Sequence, residues 1–175
     1  MRYAILPLLL LLSACAYFQT SEKEIEDADL MAANYQAADK LLENAKVPLS
    51  RERNLVVATF VNIDDLEDSS TLGRLIAEHL ASRLVQKGYR VVELKLRNNI
   101  FIKQRAGEFM LSRSVQDVST AHDAQAVVAG TYAIARNQVF VNARIIQPED
   151  STIIASYDYV LPLGKNLRAL VYTRR

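Results

Sequence analysis

The 175-residue chain has no tryptophan, a single cysteine, two histidines, five glycines and four prolines. One thiol excludes a disulfide within the chain, and one sulfur without close partners makes no metal site. The glycines lie far apart, so no pair has the spacing of a phosphate-cradling loop or a dinucleotide fingerprint. No G-x-S-x-G elbow occurs to expose a nucleophilic serine. His79 and His122 fall on separate predicted helices with no paired ligand motif, so a zinc site lacks its ligands. Nor do they form acid–base pairs with the neighbouring Glu78 and Asp123, because adjacent helical side chains point apart. Both histidines read as structural or simply exposed. Charge of one sign is also missing: the formal net charge is +1, which gives no electrostatic reason to expect nucleic acid. No apolar run approaches the roughly 20 residues of a membrane-spanning helix. These absences leave no catalytic set, no metal ligands and no cofactor motif, and the expectation is a protein that is not an enzyme.

What is present begins with "LPLLLLLSACAYFQT". After the short charged start, Ala4 to Leu12 is an apolar run broken only by Pro7. Its length and the small residues at its end fit the core of a secretory signal peptide. Leu12-Ser13-Ala14-Cys15 resembles the lipobox of bacterial lipoproteins. That resemblance implies that residues 1–14 are removed, that Cys15 receives a diacylglycerol, and that its freed amine is acylated. Ala16 rather than Asp follows the cysteine, which implies sorting to the outer membrane. Each buried methylene contributes about 0.8 kcal/mol, so several acyl chains hold a protein essentially permanently. Cys15 therefore reads as a tether whose partner is outer-membrane lipid, with residues 15–21 as a short lead that keeps the domain near the membrane, on its periplasmic face. Loss of Arg2 with the leader brings the formal charge from +1 to zero. The remaining length is that of one domain, enough to bury roughly 70% of the unfolded surface without disulfides.

Residues 22–47 are expected to form an amphipathic N-terminal helix. Ile25, Ala28, Ala32, Tyr35, Ala38, Leu42 and Ala45 make a stripe at three- and four-residue steps. The acidic residues Glu22, Glu24, Glu26, Asp27 and Asp29 suit its N-terminus, and Pro48 ends it. Asn54 to Ile63, "NLVVATFVNI", is a β-branched run that reads as one buried strand. The polar "DDLEDSST" follows; its carboxylates Asp64, Asp65, Glu67 and Asp68 read as a loop leading into a helix. Leu72 to Lys87 is helical, with Gly73 on its apolar arc so that the helix can approach a sheet closely. Gly88 stands where a left-handed C-cap is expected, and "YRVVELKL" restarts as a strand. Ser112 or Ser114 can start a second helix through Val115, Val118 and Ala121. "AQAVVAGTYAIA" and "QVFVNARIIQ" read as strands, the latter with Val139, Val141, Ala143 and Ile145 on one face. A turn at Pro148-Glu149-Asp150 returns "STIIASYDYVL" as an antiparallel partner. The tail, residues 164–175, is a short helix or a loose end. The expected fold is a single small α/β (α+β) domain. It has a mixed sheet built from strand–helix–strand–helix units and a C-terminal β-hairpin, plus the N-terminal helix. The core comprises Val56, Val57, Phe60, Val91, Val127, Val128, Val139 and Val141.

Asn98 to Met110 has no clean period, and around it Lys95, Arg97, Lys103 and Arg105 alternate with Leu96, Ile100, Phe101 and Ile102. Such a mixture suits a protein interface or a glycan contact; it equally suits a partly buried loop with solvated cations. Lys95, Arg97, Phe101, Lys103 and Arg105 are the candidate partner surface.

Residues 54–163 carry a family resemblance. "FVN" at Phe60–Asn62, "LGRLIAEHLASRLVQKGY", "GEFMLSR", "GTY" at Gly130–Tyr132 and "VNARI…YDYVLPL" together resemble the FlgO family of flagellar outer-membrane proteins. The resemblance implies a non-enzymatic outer-membrane lipoprotein that supports flagellar assembly, stability and motility. Its partners would be basal-body or ring proteins, with a homo-oligomer as a further option and no catalytic residue to carry over. The order of elements also looks like the small domain of the TolB N-terminus, of curli-secretion channels and of lipoprotein activators of peptidoglycan synthases. That likeness supplies the alternative: a lipoprotein partner of an envelope machine, either a synthase activator or a secretion-channel accessory. Fold pattern alone does not decide function.

Overall fold

Helices and strands alternate along the chain much as the periodicity predicts. The computed structural model describes residues 25–66, 70–94, 101–103 and 109–172. Its elements are helix α1 (Leu30–Asn44), strands β1 (Asn54–Ala58) and β2 (Val61–Asn62), helix α2 (Thr71–Gln86), strands β3 (Arg90–Leu94), β4 (Phe101–Lys103) and β5 (Phe109–Leu111), helix α3 (Arg113–Ala121), strands β6 (Ala124–Ile134), β7 (Gln138–Ile146) and β8 (Ile153–Pro162), and helix α4 (Lys165–Val171). The main sheet has the order β3-β1-β6-β7-β8, with β2 beside β6. β1 runs parallel to β3 and β6, whereas β6, β7 and β8 form an antiparallel meander. This is a mixed α/β sheet in a single domain. β4 and β5 form a separate antiparallel ribbon.

Three boundaries differ from the sequence reading, each for a local reason. α1 starts at Leu30, and residues 25–29 are not helical. Asp29 is its N-cap: the carboxylate accepts from the Ala32 amide at 3.0 Å. Asp27 is committed elsewhere. Its carboxylate accepts from the amides of Asn166 and Leu167, both at 3.0 Å, and from the Asn166 side chain at 2.8 Å. It thereby caps α4, whose own N-cap, Gly164, has no side chain to offer. These backbone N–H groups hold the Asp27 carboxyl below the usual carboxylate range. The second difference is a break in the Asn54–Ile63 run between β1 and β2. There the Phe60 amide donates to the Gly73 carbonyl at 3.2 Å, out of the sheet and into α2. A Cβ at Gly73 would collide with the Phe60 carbonyl oxygen, so this glycine allows the close approach its position suggested. Third, the aperiodic stretch after β3 contains the β4–β5 ribbon, two strands too short to show an alternation.

Other signals behave as the residues suggest. Ser70 caps α2, accepting from the Gly73 amide at 3.2 Å. Gly88 has φ +87°, and the Gly88 and Tyr89 amides close back on Val85 and Leu84. This is a Schellman end that a residue with a Cβ disfavours. Of the two candidate serines, Ser112 is the cap of α3, accepting from Val115. The tail is helical as α4, with Leu167 and Val171 buried.

The sheet separates two cores. On one face, α1, α2 and α4 pack over Leu55, Val57, Val128, Tyr132, Val141 and Ile145. On the other, α3 and Leu111 cover a smaller cluster of Val56, Ala58, Val61, Val127 and Ala129. β1 and β6 are thus buried on both sides, as parallel neighbours in a layered α/β fold are. Of the eight expected core residues, seven are fully buried and Val91 is half-buried.

Candidate functional site

Cys15, Lys95, Arg97 and Arg105 lie outside the described residues, as do Glu67 and Asp68. Phe101 and Lys103 are placed: both are on β4, paired with Leu111 and Phe109 of β5. The ribbon is rooted on the smaller core through buried Leu111, whose amide donates to the Ser151 hydroxyl at 3.3 Å. Ser151 itself has φ +61° in the turn between β7 and β8. The β4–β5 ribbon, with Phe101 and Lys103 on it, is therefore rooted on the side of the sheet opposite α1, α2 and α4.

His122 is exposed at the C-cap of α3, where its carbonyl accepts from the Asn54 side chain at 2.6 Å. His79 is part of a polar cluster that ties α1, α2 and β8 together. Asn34, fully buried on α1, donates from Nδ2 to His79 Nδ1 at 3.0 Å. Its Oδ1 accepts from the Tyr159 hydroxyl at 2.6 Å. With the Asn34 amide in this orientation, His79 presents an unprotonated Nδ1 as the acceptor and carries its proton on Nε2. Burial lowers the His79 pKa below its ordinary value, an effect that Glu78 partly offsets. Burial likewise pushes the Tyr159 phenol up. Beside this cluster Arg83 grips Asp39 with two bonds, 2.9 and 2.7 Å long, and Lys87 adds a third at 3.1 Å. Hydrogen bonding from Arg83 holds the Asp39 carboxyl below the usual range. Arg83 also lies over the Tyr35 ring, 5.5 Å from its centroid.

Sequence reasoning missed Asn34 because an asparagine does not count toward an apolar stripe. The buried face of α1 is Asn34, Ala37, Ala38 and Leu41, turned by about one residue from the expected stripe, and Ala32 is exposed. The signal was the run Leu30, Ala37, Ala38, Leu41, whose gap falls on residue 34.

Chemically, these groups stitch helices together. They are donors matched to acceptors. Among the described residues no three His, Cys, Asp or Glu side chains gather as metal ligands would, and no helix is long and apolar enough to cross a membrane. A shallow cleft of about 290 Å³ lies between Arg53, Ser119, Asp123 and Glu149, and its Arg53 and Asp123 are paired at 3.1 Å.

A family model described as FlgO protein matches residues 35–166. Among solved structures, the LpoB C-terminal domain from Salmonella enterica superposes with a TM-score of 0.51 at 13% identity, covering 76% of this chain and 98% of that one. The corresponding Escherichia coli domain gives 0.50 at 13% identity, with 76% and 98% covered. The NMR structure of E. coli LpoB gives 0.52 at 13%, with 79% and 70% covered. Likeness at this identity is likeness of fold. No curated protein matches the chain in sequence.

Proposed function

The chain belongs to the FlgO family, and from that premise we propose that it is a non-enzymatic lipoprotein of the outer membrane that supports flagellar assembly, stability and motility at the flagellar base. The observation that carries this reading is the family match over residues 35–166. It is supported by Leu12-Ser13-Ala14-Cys15 near the start, and by polar side chains spent on holding helices together. Cys15 carries the acyl chains, and the domain works by contact with basal-body or ring proteins. The ribbon that bears Phe101 and Lys103, with Lys95, Arg97 and Arg105 nearby in sequence, is the surface for that contact.

The second reading, a lipoprotein partner of another envelope machine such as a peptidoglycan synthase or a secretion channel, is favoured by one observation. The fold is shared with the LpoB C-terminal domain. A clean deletion in a flagellated host separates the two. Reduced soft-agar spreading and fewer flagella per cell, with normal cell shape, are expected. Normal swimming removes the flagellar role, and altered shape with normal swimming supports the second reading. Replacing Cys15 with Ser should abolish fatty-acid labelling; unchanged labelling would remove the tether. Reversing charge at Lys103 and Arg105 together should impair spreading while the thermal midpoint shifts by no more than a surface substitution usually costs, less than about 0.5 kcal/mol. Unimpaired spreading in that strain would move the contact surface elsewhere.

A further inference from the structure

Among the described residues, a single buried side-chain atom lacks a hydrogen-bond partner: the hydroxyl of Ser119, a residue 1% exposed. Its setting is given by α3. Val115 and Ser119 are both buried on that helix and stand four residues apart, so they share its sheet-facing side. Val115 enters the smaller core. Ser119, one turn later, lines the cleft it shares with Arg53, Asp123 and Glu149. Serines and threonines within helices commonly spend the hydroxyl on the carbonyl four residues back. Thr120 does so, donating to the Gln116 carbonyl at 3.0 Å, whereas Ser119 makes no such bond to Val115. A buried hydroxyl left without a partner is costly, and this one calls for an occupant of the cleft that supplies it.

The rest of the lining sets the charge of that occupant. Arg53 and Asp123 bind each other through one oxygen of the carboxylate, and the other oxygen can still accept. Glu149, in the β7–β8 turn, forms no ion pair among the described residues. One guanidinium against two carboxylates leaves the cleft with a net charge of −1, to which the carbonyl end of α3 adds the negative pole of a helix. Pro148 and Ala124 give it an apolar margin. Its volume of about 290 Å³ lies at the small end of ligand sites, roughly 300 Å³ and upward, so it suits one side chain or a molecule of that size. Acceptors from three separate residues, with negative charge in excess, match a group that has three donors and no acceptor, a primary ammonium. A guanidinium fits less well, because its flat fork seeks both oxygens of one carboxylate. We propose that this cleft binds a primary ammonium carried on an apolar stem, with the charge among Glu149, the second oxygen of Asp123 and the Ser119 hydroxyl, and the stem against Pro148 and Ala124. A lysine of a partner protein and a small free amine present the same group, and the inference stands independently of the flagellar reading.

The test uses the full-length protein extracted in detergent, with backbone amide shifts followed by NMR and thermal midpoints measured alongside. The probes are n-butylamine and lysine capped at both ends as amides. Capped norleucine, which keeps the stem and lacks the ammonium, is the control. Both amines should give saturable shifts around Ser119, Asp123 and Glu149, and norleucine none. Tighter binding of capped lysine than of butylamine assigns the site to a protein side chain, and the reverse assigns it to a small amine. Glu149→Gln should weaken binding about tenfold, the loss of one charge-assisted hydrogen bond. Ser119→Ala should weaken it several-fold while the midpoint holds or rises, because alanine leaves no hydroxyl unpaired. Asp117→Asn removes an exposed carboxylate of α3 outside the cleft and should change nothing. Failure of the amines to saturate, or an equal response to norleucine, overturns the proposal and leaves the cleft to water. Affinity unchanged by Ser119→Ala, or reduced as much by Asp117→Asn as by Glu149→Gln, overturns it as well. A midpoint that falls in Ser119→Ala shows the hydroxyl already bonded within the fold and overturns it equally.

Discussion

The two sides of the main sheet are built from the same strands and meet different surroundings. On β7, Val139, Val141, Ala143 and Ile145 are all fully buried under the helices, while Phe140, between the first two, is 42% exposed. On β1, by contrast, Leu55, Val56, Val57 and Ala58 are all fully buried. The distinction follows sheet architecture. The parallel strands β1 and β6 sit where helices cover both faces, so they need continuous apolar runs; the antiparallel strands at the margin have one covered face and alternate. Stability and recognition are therefore divided between the sides. The helix side holds the packing that the fold depends on, and the open side can change its side chains at little cost to folding.

Substitutions on the two sides should separate accordingly. The largest effect is expected at the contact of α2 with the sheet: Gly73→Ala drives a methyl into the Phe60 carbonyl oxygen, and rigid backbone on both sides leaves about 3 kcal/mol or more of strain. Chemical denaturation should show the variant largely unfolded, and a near-native midpoint would mean that α2 can retreat. Next, Ile145→Ala on the helix side should cost about 2–5 kcal/mol, whereas Phe140→Ala on the open side should cost little. Equal losses would erase the distinction between the faces. Smaller again is Asn34→Ala, which strands His79 Nδ1 and the Tyr159 hydroxyl together and should cost about 1–3 kcal/mol. The variant should also weaken protection of α1 amides in hydrogen exchange.

The smallest effect is a pH dependence confined to the helix side. Because the folded-state pKa of His79 lies below its ordinary value, the unfolded chain binds more protons between the two values, and stability rises with pH there. The contribution of neutral His79 is complete above about pH 6.5 and is lost as pH falls toward the lowered folded-state value. Tyr35 meets the ring edge-on, 6.2 Å between centroids, and Glu78 is the charged group that partly offsets the effect of burial. His79→Gln should therefore flatten the wild-type decline in thermal midpoint between about pH 7 and 5. An unchanged slope would assign the decline to other groups.

Much of the fold was legible in the sequence, because its cues are local. Val139, Val141, Ala143 and Ile145 alternate, Gly88 marks a helix end, and Ser112 precedes Val115 by three residues. What was not legible depends on partners distant in sequence. Asp27 looks like part of an acidic helix start, and only the folded chain shows it bonded to Asn166 and Leu167. Asn34 looks out of place in an apolar face until His79 and Tyr159 arrive from two other elements. The break after Ala58 comes from a bond between Phe60 and Gly73, which no strand propensity encodes. The candidate surface was legible only as composition: mixed cations and apolar residues single out the stretch, but pairing of Phe101 with Leu111 is needed to turn it into a ribbon.

The clasp between Asp27 and α4 has a mechanical consequence. A pull arriving from the N-terminal side reaches Asp27 before it reaches α1. There it meets three hydrogen bonds to Asn166 and Leu167 loaded side by side, and behind them α4, seated on the core through Leu167 and Val171. Force is handed to the far end of the chain and spread over the helix layer, so α1 is shielded from being peeled away turn by turn. A load on the N-terminal side of α1 is in this way resisted by α4.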